Sequence, residues 1–289
     1  RAVRKPDMTT ISVIGSVNLD IVARAPKLPA PGETVTGADL HHFPGGKGAN
    51  QALAARRLGA DVALIACVGD DATADEALVL LREGGVDLSG CQVLAGEATG
   101  TALIAVDPDG ENQIVVAPGA NTLLTAERVT LPRSDAVICQ LEVPTETIAS
   151  VAGSYEGFFC INLAPARHID VTVLQRADLV VVNETESAWY GNTLGACHGM
   201  IATTRGAGVA TIEQDDRIIA EASPPSVDAI DATGAGDTFT AALTLALVEG
   251  QAPAAALEFA CAAAAAATTR MGAQPALPFR EDIAHAERS

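Results

Sequence analysis

The segment best suited to chemistry is residues 230–239, where a glycine-rich turn leads straight into an apolar helix. The free N–H groups at such a helix start, together with the helix dipole, attract an anion. Gly234 and Gly236 allow the main chain to approach a phosphate closely, and Asp237 follows them directly. Because a carboxylate repels phosphate, Asp237 makes chemical sense as a base that deprotonates a hydroxyl group while the amides hold a migrating phosphoryl group. A plain aspartate in the first turn of a helix explains the spacing equally well.

Two common nucleotide-binding patterns are absent from the sequence. No G-x-x-x-x-G-K-[ST] run occurs, and after Gly234 and Gly236 the third glycine position of the dinucleotide fingerprint holds Phe239. A dinucleotide-dependent oxidoreductase, which would share an α/β fold, is therefore disfavoured.

Two further segments combine polar residues with turns. Residues 45–51 (GGKGANQ) open a predicted helix, and their glycines and Lys47 suit close contact with a polar ligand. A flexible turn with a solvated lysine is the simpler interpretation of this segment alone. Residues 15–20 (GSVNLD) follow the first predicted strand, and Asn18 and Asp20 share a parity on an extended chain, so both can face one polyol. Such residues are more often turn formers.

Two carboxylate-bearing segments follow apolar runs. Residues 183–186 (NETE) could place an amide and a carboxylate near a Mg²⁺–phosphate through water. Asn183 is also a natural helix N-cap, and the two roles are compatible. Glu142 is a second such carboxylate, with an ordinary loop charge as the alternative. The five histidines show no metal-ligand spacing.

Apolar runs alternate with helical patterns along the chain, which is typical of an α/β fold with a mostly parallel sheet flanked by helices. The predicted strands are Ile11–Gly15, Val62–Cys67, Ala136–Cys139, Phe158–Asn162 and Leu179–Val182. The predicted helices are Gly45–Leu58, Ala72–Glu83, Thr145–Ala152, Ile169–Ala177, Glu184–Tyr190, Gly234–Glu249 and Pro253–Thr269.

Two insertions interrupt this alternation. Residues 20–44 are polar and punctuated by proline and glycine, and residues 99–117 form a predicted hairpin of Thr101–Val106 and Gln113–Ala117. Together they predict a small accessory sheet, placed as a lid over a site at the carboxyl ends of the main strands. With no linker or repeat, residues 1–289 are expected to form a single α/β domain.

Composition excludes several functional classes. Lys and Arg number 18 and Asp and Glu 36, so a net charge of −18 disfavours nucleic acid as a partner. The six cysteines form no CxxC pair and are interpreted as buried thiols of a cytoplasmic protein. Residues 1–7 lack the apolar region of a secretory signal, and no window reaches 18 unbroken apolar residues, so no membrane association is expected.

Residues 45–51 and 231–238, in this order, resemble the two signature motifs of the ribokinase family of sugar kinases. Residues 32–37 (GETVTG) and 272–275 (GAQP) are also similar to that family, and the resemblance covers nearly the whole chain. It implies a central sheet flanked by helices, and a small β lid that clasps the lid of a second subunit in a homodimer. It also implies transfer of the γ-phosphoryl group of ATP to the 5-hydroxyl of D-ribose.

The resemblance also implies roles for individual residues. By motif match, Asp237 would be the base, and the anion hole would comprise Gly234, Ala235 and Gly236. The residues that would hold the sugar are Asn18, Asp20, Gly46, Lys47, Asn50 and Glu142, with Asp237. The residues that would contact the nucleotide are Asn183, Thr203, Thr204, Gly206, Gly208, Gly236 and Cys261, with the register between Thr203 and Thr204 left open.

Two cations are implied in the same way. Glu186 would support Mg²⁺ through water. The K⁺ site would use Asp231 and the carbonyls of Thr233, Ala267, Arg270 and Gly272. Ala276 stands where the family often carries a serine whose hydroxyl joins this site, so the chain offers one ligand fewer.

Two other functions remain open at this point. One is a kinase for another small sugar or a nucleoside, such as deoxyribose, and the other is a non-catalytic sugar-binding regulator. Asp20 bears on the first, since a carboxylate that accepts two hydroxyl hydrogen bonds rejects an analogue lacking one hydroxyl. The intact run 234–237 weighs against the second, because a binding protein needs no base beside an anion hole.

Overall fold

The computed structural model describes residues 8–286, so the expectation for residues 1–7 lies outside the described residues. The strands of the main sheet are β1 (Thr10–Ile14), β4 (Asp61–Gly69), β5 (Cys91–Leu94), β8 (Ala136–Gln140), β9 (Phe158–Asn162), β10 (Leu179–Asn183), β11 (Met200–Thr204), β12 (Ala210–Gln214) and β13 (Arg217–Ala222). The strands of a second, smaller sheet are β2 (Asn18–Arg24), β3 (Asp39–Gly45), β6 (Gly100–Val106) and β7 (Asn112–Ala117).

The main sheet has the order β13-β12-β11-β10-β9-β8-β1-β4-β5. All its neighbouring strands run parallel from β5 to β11, and the antiparallel pairs are β11 with β12 and β12 with β13. The predicted fold class, a mostly parallel sheet flanked by helices with a small additional sheet, is confirmed. The carboxyl ends of the parallel strands therefore meet along one edge, where α/β proteins place their ligands.

Helices cover both faces of the main sheet. They are α1 (Lys47–Arg57), α2 (Ala72–Glu83), α3 (Thr145–Ser154), α4 (Val171–Arg176), α5 (Glu184–Tyr190), α6 (Ala235–Val248), α7 (Pro253–Ala267), α8 (Ala273–Ala276) and α9 (Arg280–Ala286). One core joins α1, α2, α6 and α7 to one face of the sheet, and a second core joins α3 and α4 to the other. Since both faces are covered, the central strands are apolar along their length rather than alternating.

Four strands of the main sheet, β5, β11, β12 and β13, are absent from the apolar runs predicted as strands from the sequence. Strands β5 and β13 form the two edges of the sheet, and β12 and β11 are the next two strands inward from β13. In β13, for example, four of the six residues are exposed. A continuous apolar run marks a strand buried on both faces, so edge strands of this kind lack the signal.

Helix α1 packs very closely on the end of β1. A Cβ atom at Gly48 would lie 2.6 Å from the main chain of Gly15, which is closer than any real side chain allows. The Ala49 N–H donates to the carbonyl oxygen of Ser16 at 2.9 Å, which anchors the start of the helix. The glycines of the first motif therefore bring the start of α1 against the carboxyl end of the central strand.

The small sheet has the order β3-β2-β6-β7. Its strands fall within or beside the two insertions predicted from the sequence, and β6 pairs antiparallel with β7 as a hairpin. Strand β2 follows directly on the loop after β1, so the small sheet begins at the edge where the parallel strands end. Among residues 8–286, no helix combines the length and apolar character that crossing a bilayer requires.

Candidate active site

Asp237 lies in the first turn of α6 and is only 5% exposed. Both oxygens of its carboxylate accept hydrogen bonds from the start of α1. Asn50 Nδ2 donates to Oδ2 at 2.9 Å, and Gln51 Nε2 donates to Oδ1 at 3.0 Å. The two motifs predicted from the sequence therefore meet at one carboxylate, although 187 and 186 residues separate the partners of these two contacts along the chain.

The turn before α6 presents free main-chain N–H groups. Gly234 adopts φ 81°, a left-handed conformation that favours glycine, and begins the helix. Among the described residues, the N–H groups of Gly234, Gly236 and Asp237 have no hydrogen-bond partner, whereas the N–H of Ala235 donates to the carbonyl oxygen of Ala232 at 3.2 Å. Three of the amides around this turn are thus available to an anion, and the amide of Ala235 is already engaged.

Lys47 lies in the midst of acidic groups. The negative charge of Asp237, followed by Glu142, Glu186 and Asp20, raises the pKa of Lys47 despite its burial. The ammonium group therefore stays charged at neutral pH and offsets part of the negative potential of the site.

Glu142 is held at the start of α1. Its Oε2 accepts a hydrogen bond from the hydroxyl of Ser16 and another from the N–H of Lys47 at 3.0 Å. The Glu142 carboxylate thus joins the loop after β1 to α1, the helix that carries the first motif. It also lies close enough to Asp20 for its negative charge to raise the pKa of Asp20.

Asn18 and Asp20 lie on β2 with one residue between them, so they share a face of the small sheet. Asn18 Oδ1 accepts a hydrogen bond from Asn121 Nδ2 at 2.8 Å. Burial, together with repulsion from Glu142, Asp237 and Asp231, raises the pKa of Asp20 to about 7, although Lys47 opposes the shift. A Cβ atom at Gly45 would overlap the Asp20 carboxylate, so a larger residue there would displace the Asp20 side chain.

A second helix start in the site carries Asn183 and Glu186. Asn183 Oδ1 accepts from the N–H of Glu186, and Glu186 Oε2 accepts from the N–H of Asn183, each at 2.8 Å. This reciprocal capping box starts α5 at the end of β10. Burial raises the pKa of Glu186, while the Asn183 N–H and Lys47 oppose the shift.

A cavity of about 460 Å³ opens beside the turn before α6. Five of the predicted nucleotide contacts line it: Thr204, Gly206, Gly208, Gly236 and Cys261. Asn183 and Thr203 are not among the lining residues, and Thr203 is buried within β11 opposite Thr211 of β12. The side chain that faces the cavity from the end of β11 is therefore that of Thr204.

The loop after α7 approaches the same turn from the other side. Asp231 Oδ1 accepts from the N–H and the hydroxyl of Thr233, at 2.9 and 2.6 Å, and Oδ2 accepts from the N–H of Gly272 at 2.9 Å. These bonds lower the pKa of Asp231, although burial acts in the opposite direction. The carbonyl oxygens of Thr233, Ala267, Arg270 and Gly272 accept no hydrogen bond within the described part of the chain.

Three amide side chains near Asp237 were not assigned roles from the sequence. Gln51 Nε2 also donates to Asn162 Oδ1 at 3.1 Å, and Gln51 Oε1 accepts from Gln140 Nε2. Asn121, which contacts Asn18, was missed as well. The sequence did offer one signal for Gln140 and Asn162. Each is the polar last residue of an otherwise apolar strand, and a polar side chain buried at that position needs a hydrogen-bond partner.

The chain is similar in sequence to known carbohydrate kinases. Residues 8–280 match the model of the pfkB family of carbohydrate kinases. A protein of Bacillus subtilis named ribokinase is 35% identical, with 96% of this chain and 98% of that protein covered. A ribokinase of Haemophilus influenzae is also 35% identical, with 94% and 96% covered.

Solved structures agree with these sequence matches. A ribokinase of Thermotoga maritima superposes with a TM-score of 0.88 at 31% identity, covering 98% of this chain and 100% of that chain. A ribokinase of Arabidopsis thaliana solved with ribose and ATP gives a TM-score of 0.85 at 26% identity, covering 98% and 99%. With the family model matched over nearly its whole length, the chain belongs to the pfkB family of carbohydrate kinases.

Proposed function

We propose that this protein is an ATP-dependent kinase that transfers the γ-phosphoryl group to O5 of D-ribose, with Asp237 as the general base. The observation that carries the proposal is the placement of the buried Asp237 carboxylate beside three unpaired N–H groups at the start of α6. The relatives named ribokinase, matched over almost their whole length, indicate the substrates. The structure from Arabidopsis thaliana with ribose and ATP supports the same pair.

The chemistry follows from the electrostatics of this corner. Asp237 would take the proton of the sugar hydroxyl as the hydroxyl oxygen attacks the γ-phosphorus, and the bond from that phosphorus to the β-phosphate oxygen would break to release ADP. The N–H groups of Gly234, Gly236 and Asp237 would stabilise the negative charge of the migrating group. The N–H of Ala235 already donates to the carbonyl oxygen of Ala232, so this residue would shape the turn of the anion hole rather than contact the anion. Because the base and the free N–H groups belong to the same turn of α6, their relative positions are fixed before substrate binds.

Replacing Asp237 by Asn tests the base. Asn keeps the size of the side chain but cannot accept the proton, so kcat should fall by roughly 10²–10⁴ with ribose binding retained. The measurement is coupled ADP release with ribose and Mg-ATP, together with calorimetric ribose binding. Asp75→Asn on the exposed face of α2 is the matched control. Undiminished turnover in a folded D237N protein would remove Asp237 from this role.

The sugar site in this proposal comprises Asn18, Asp20, Gly46, Lys47, Asn50 and Glu142, with Asp237. Charged and amide groups of this kind hold a polyol by accepting and donating hydroxyl hydrogen bonds. Support comes from their convergence, since Asp20, Glu142 and Asp237 all influence the pKa of Lys47. Asp20 is set apart by its pKa of about 7, because its charge changes within the range in which the enzyme would be assayed.

Ribose affinity should therefore depend on pH. The carboxylate of Asp20 accepts two hydroxyl hydrogen bonds and its acid form accepts fewer, so binding weakens as pH falls through about 7. We expect the ribose Kd, measured by calorimetry without ATP, to rise by about 5–25-fold from pH 7.5 to pH 5.5. In the Asp20→Asn protein, ribose should bind more weakly at every pH, and its Kd should no longer rise as the pH falls. A Kd that depends on pH as strongly in this variant as in the native protein would contradict the assignment to Asp20.

Magnesium fits this site as an ion held mainly by phosphate and water. Among residues 8–286, no cluster of three His, Cys, Asp or Glu side chains could hold a metal by itself. Glu186 offers one carboxylate oxygen with no hydrogen-bond partner among the described residues, which suits contact through water. When bound with ATP, Mg²⁺ would neutralise phosphate charge, while Asn183, Thr204, Gly206, Gly208 and Cys261 surround the nucleotide.

Potassium fits the loops on either side of Asp231. Its donors would be the Asp231 carboxylate and the carbonyl oxygens of Thr233, Ala267, Arg270 and Gly272, which have no donor within the described residues. Carbonyl oxygens are suitable ligands for this ion. A cation there would fix the shape of the turn that carries the anion hole without touching substrate.

Ala276 offers a test of the cation site. It is 2% exposed and ends the short helix after Gly272. We expect activity to be higher in KCl than in NaCl, and Ala276→Ser, which adds a hydroxyl ligand, to lower the half-activating K⁺ concentration by about 3–10-fold. The control is Ala256→Ser, which changes an equally buried alanine near the start of α7, whereas the proposed cation ligand Ala267 lies at the end of that helix. Equal activity in the two salts, for both the native protein and A276S, would contradict the site.

We also propose a homodimer formed through the small sheet, which would serve as the lid of a single kinase domain comprising residues 1–289. All six residues of its edge strand β7 are exposed. Large apolar side chains that remain more than half exposed are concentrated in this sheet: Leu40, Leu103, Ile114, Val115 and Val116. An exposed apolar patch beside an open strand edge is typical of a protein interface.

Sedimentation velocity tests the dimer. Val115 is 65% exposed and lies directly opposite Leu103 on β6, so Val115→Lys places a charge in the centre of the patch. We expect the dimer dissociation constant to rise at least about tenfold. Val93→Lys, an equally exposed valine on β5 at the edge of the main sheet, should have no effect. A native protein that sediments as a monomer at micromolar concentration would contradict the proposal.

The cytoplasm is the proposed location. The reaction consumes ATP, and buried thiols such as Cys139 and Cys160 are suited to a reducing compartment. A net charge of −18 supports small-molecule substrates rather than nucleic acid as partners.

A further inference from the structure

Behind Asp237 lies a chain of buried amide side chains that no step described so far requires. Gln140 at the end of β8, Gln51 on α1 and Asn162 at the end of β9 are hydrogen-bonded in series, and Gln51 also reaches Asp237. Gln51 and Gln140 are fully buried, and Asn162 is 6% exposed. Polar groups this deeply buried are costly unless they are paired, so the arrangement calls for a role.

The direction of every hydrogen bond in this chain follows from one main-chain group. Asn162 Nδ2 donates to the carbonyl oxygen of Val181 at 3.2 Å, and a carbonyl can only accept. Asn162 Oδ1 must then face Gln51 as an acceptor, which requires the amide nitrogen of Gln51 on that side. The same nitrogen has its second hydrogen for Asp237 Oδ1, and Gln51 Oε1 is left to accept from Gln140.

We propose that Gln51 is a positioning residue for Asp237, oriented by Asn162 and Gln140 so that its amide donates to the carboxylate and leaves the remaining lone pairs to the sugar hydroxyl. The proposal rests on the assignment of Asp237 as the base. Because the amide cannot reverse without breaking its bonds to Asn162 and Gln140, the carboxylate is held in one orientation before substrate arrives.

A donor to a carboxylate also favours its ionised form. The other charged groups that face Asp237 are Lys47 from α1, Glu186 from α5 and Asp20 from β2. Lys47 stabilises the negative charge of Asp237, and the two carboxylates oppose it. Gln51 therefore places a neutral hydrogen-bond donor against the same carboxylate that faces the positive charge of Lys47.

Two substitutions at Gln51 separate positioning from a purely structural role. Gln51→Met keeps the length of the side chain but loses the donor, so kcat should fall about 10–100-fold with the ribose Kd changed less than about threefold. In addition, the acidic limb of the kcat–pH profile should move to higher pH by about one unit. Gln51→Glu places a second carboxyl against Asp237 and should move that limb further in the same direction.

The control and the fallback use other buried residues. Thr244→Val removes a buried hydroxyl from α6, the helix of Asp237. That hydroxyl donates to the carbonyl oxygen of Thr240 and also contacts the thiol of Cys160, and it belongs to neither the site nor the amide chain. It should leave kcat and the pH profile unchanged. If Gln51→Met does not fold, Gln140→Met removes only the donor to Gln51 and should give a smaller shift of the same sign.

The outcomes are distinct. A folded Gln51→Met protein with native kcat and a native pH profile would overturn the proposal, as would an equal loss in Thr244→Val. If Asp237→Asn keeps full activity, the base assignment fails and this proposal fails with it. If Asp237→Asn is inactive while both Gln51 variants behave as the native protein, only the role of Gln51 is wrong.

Discussion

The balance of charge around Lys47 is the constraint on which the rest of the site depends. One buried ammonium lies among the carboxylates of Asp20, Glu142, Glu186 and Asp237, so the site is negative before any ligand enters. A polyphosphate would be repelled by this potential unless other groups opposed it. The main-chain N–H groups at the start of α6 and the positive charge of Lys47 offset this negative potential locally. A protein with a net charge of −18 therefore still offers a place where an anionic group can bind.

The parallel sheet explains how residues distant in sequence come together. The loop after β1 and the final residues of β8, β9, β10 and β11 all lie along one edge, and α1, α5 and α6 begin at that edge. Every helix that starts there points its positive end at the site. The anion-binding turn before α6 and Asp237 are thus placed by topology, and the small sheet adds Asn18 and Asp20.

The sequence predicted the fold and the members of the site better than it predicted their contacts. Strands such as β9 and β10 were recognised because they are continuously apolar, and Gly234 and Asp237 because a glycine-rich turn leads directly into an apolar helix. The amide chain could not be predicted, since Gln51 meets Gln140 and Asn162 across 89 and 111 residues of chain. The engaged amide of Ala235 likewise depends on the exact curvature of the turn rather than on residue type.

The loop at Gly272 links the small sheet to the anion-binding turn. Its N–H donates to Asp231, and a Cβ atom there would overlap the ring of Phe43 on β3, so only glycine, at φ 79°, allows both contacts. Phe43 lies directly opposite Asp20 in the small sheet. The small sheet and the loop that supports Asp231 are therefore packed together at Gly272. The position of the strands that carry Asp20 and Phe43 and the shape of the turn before α6 are linked through a single glycine.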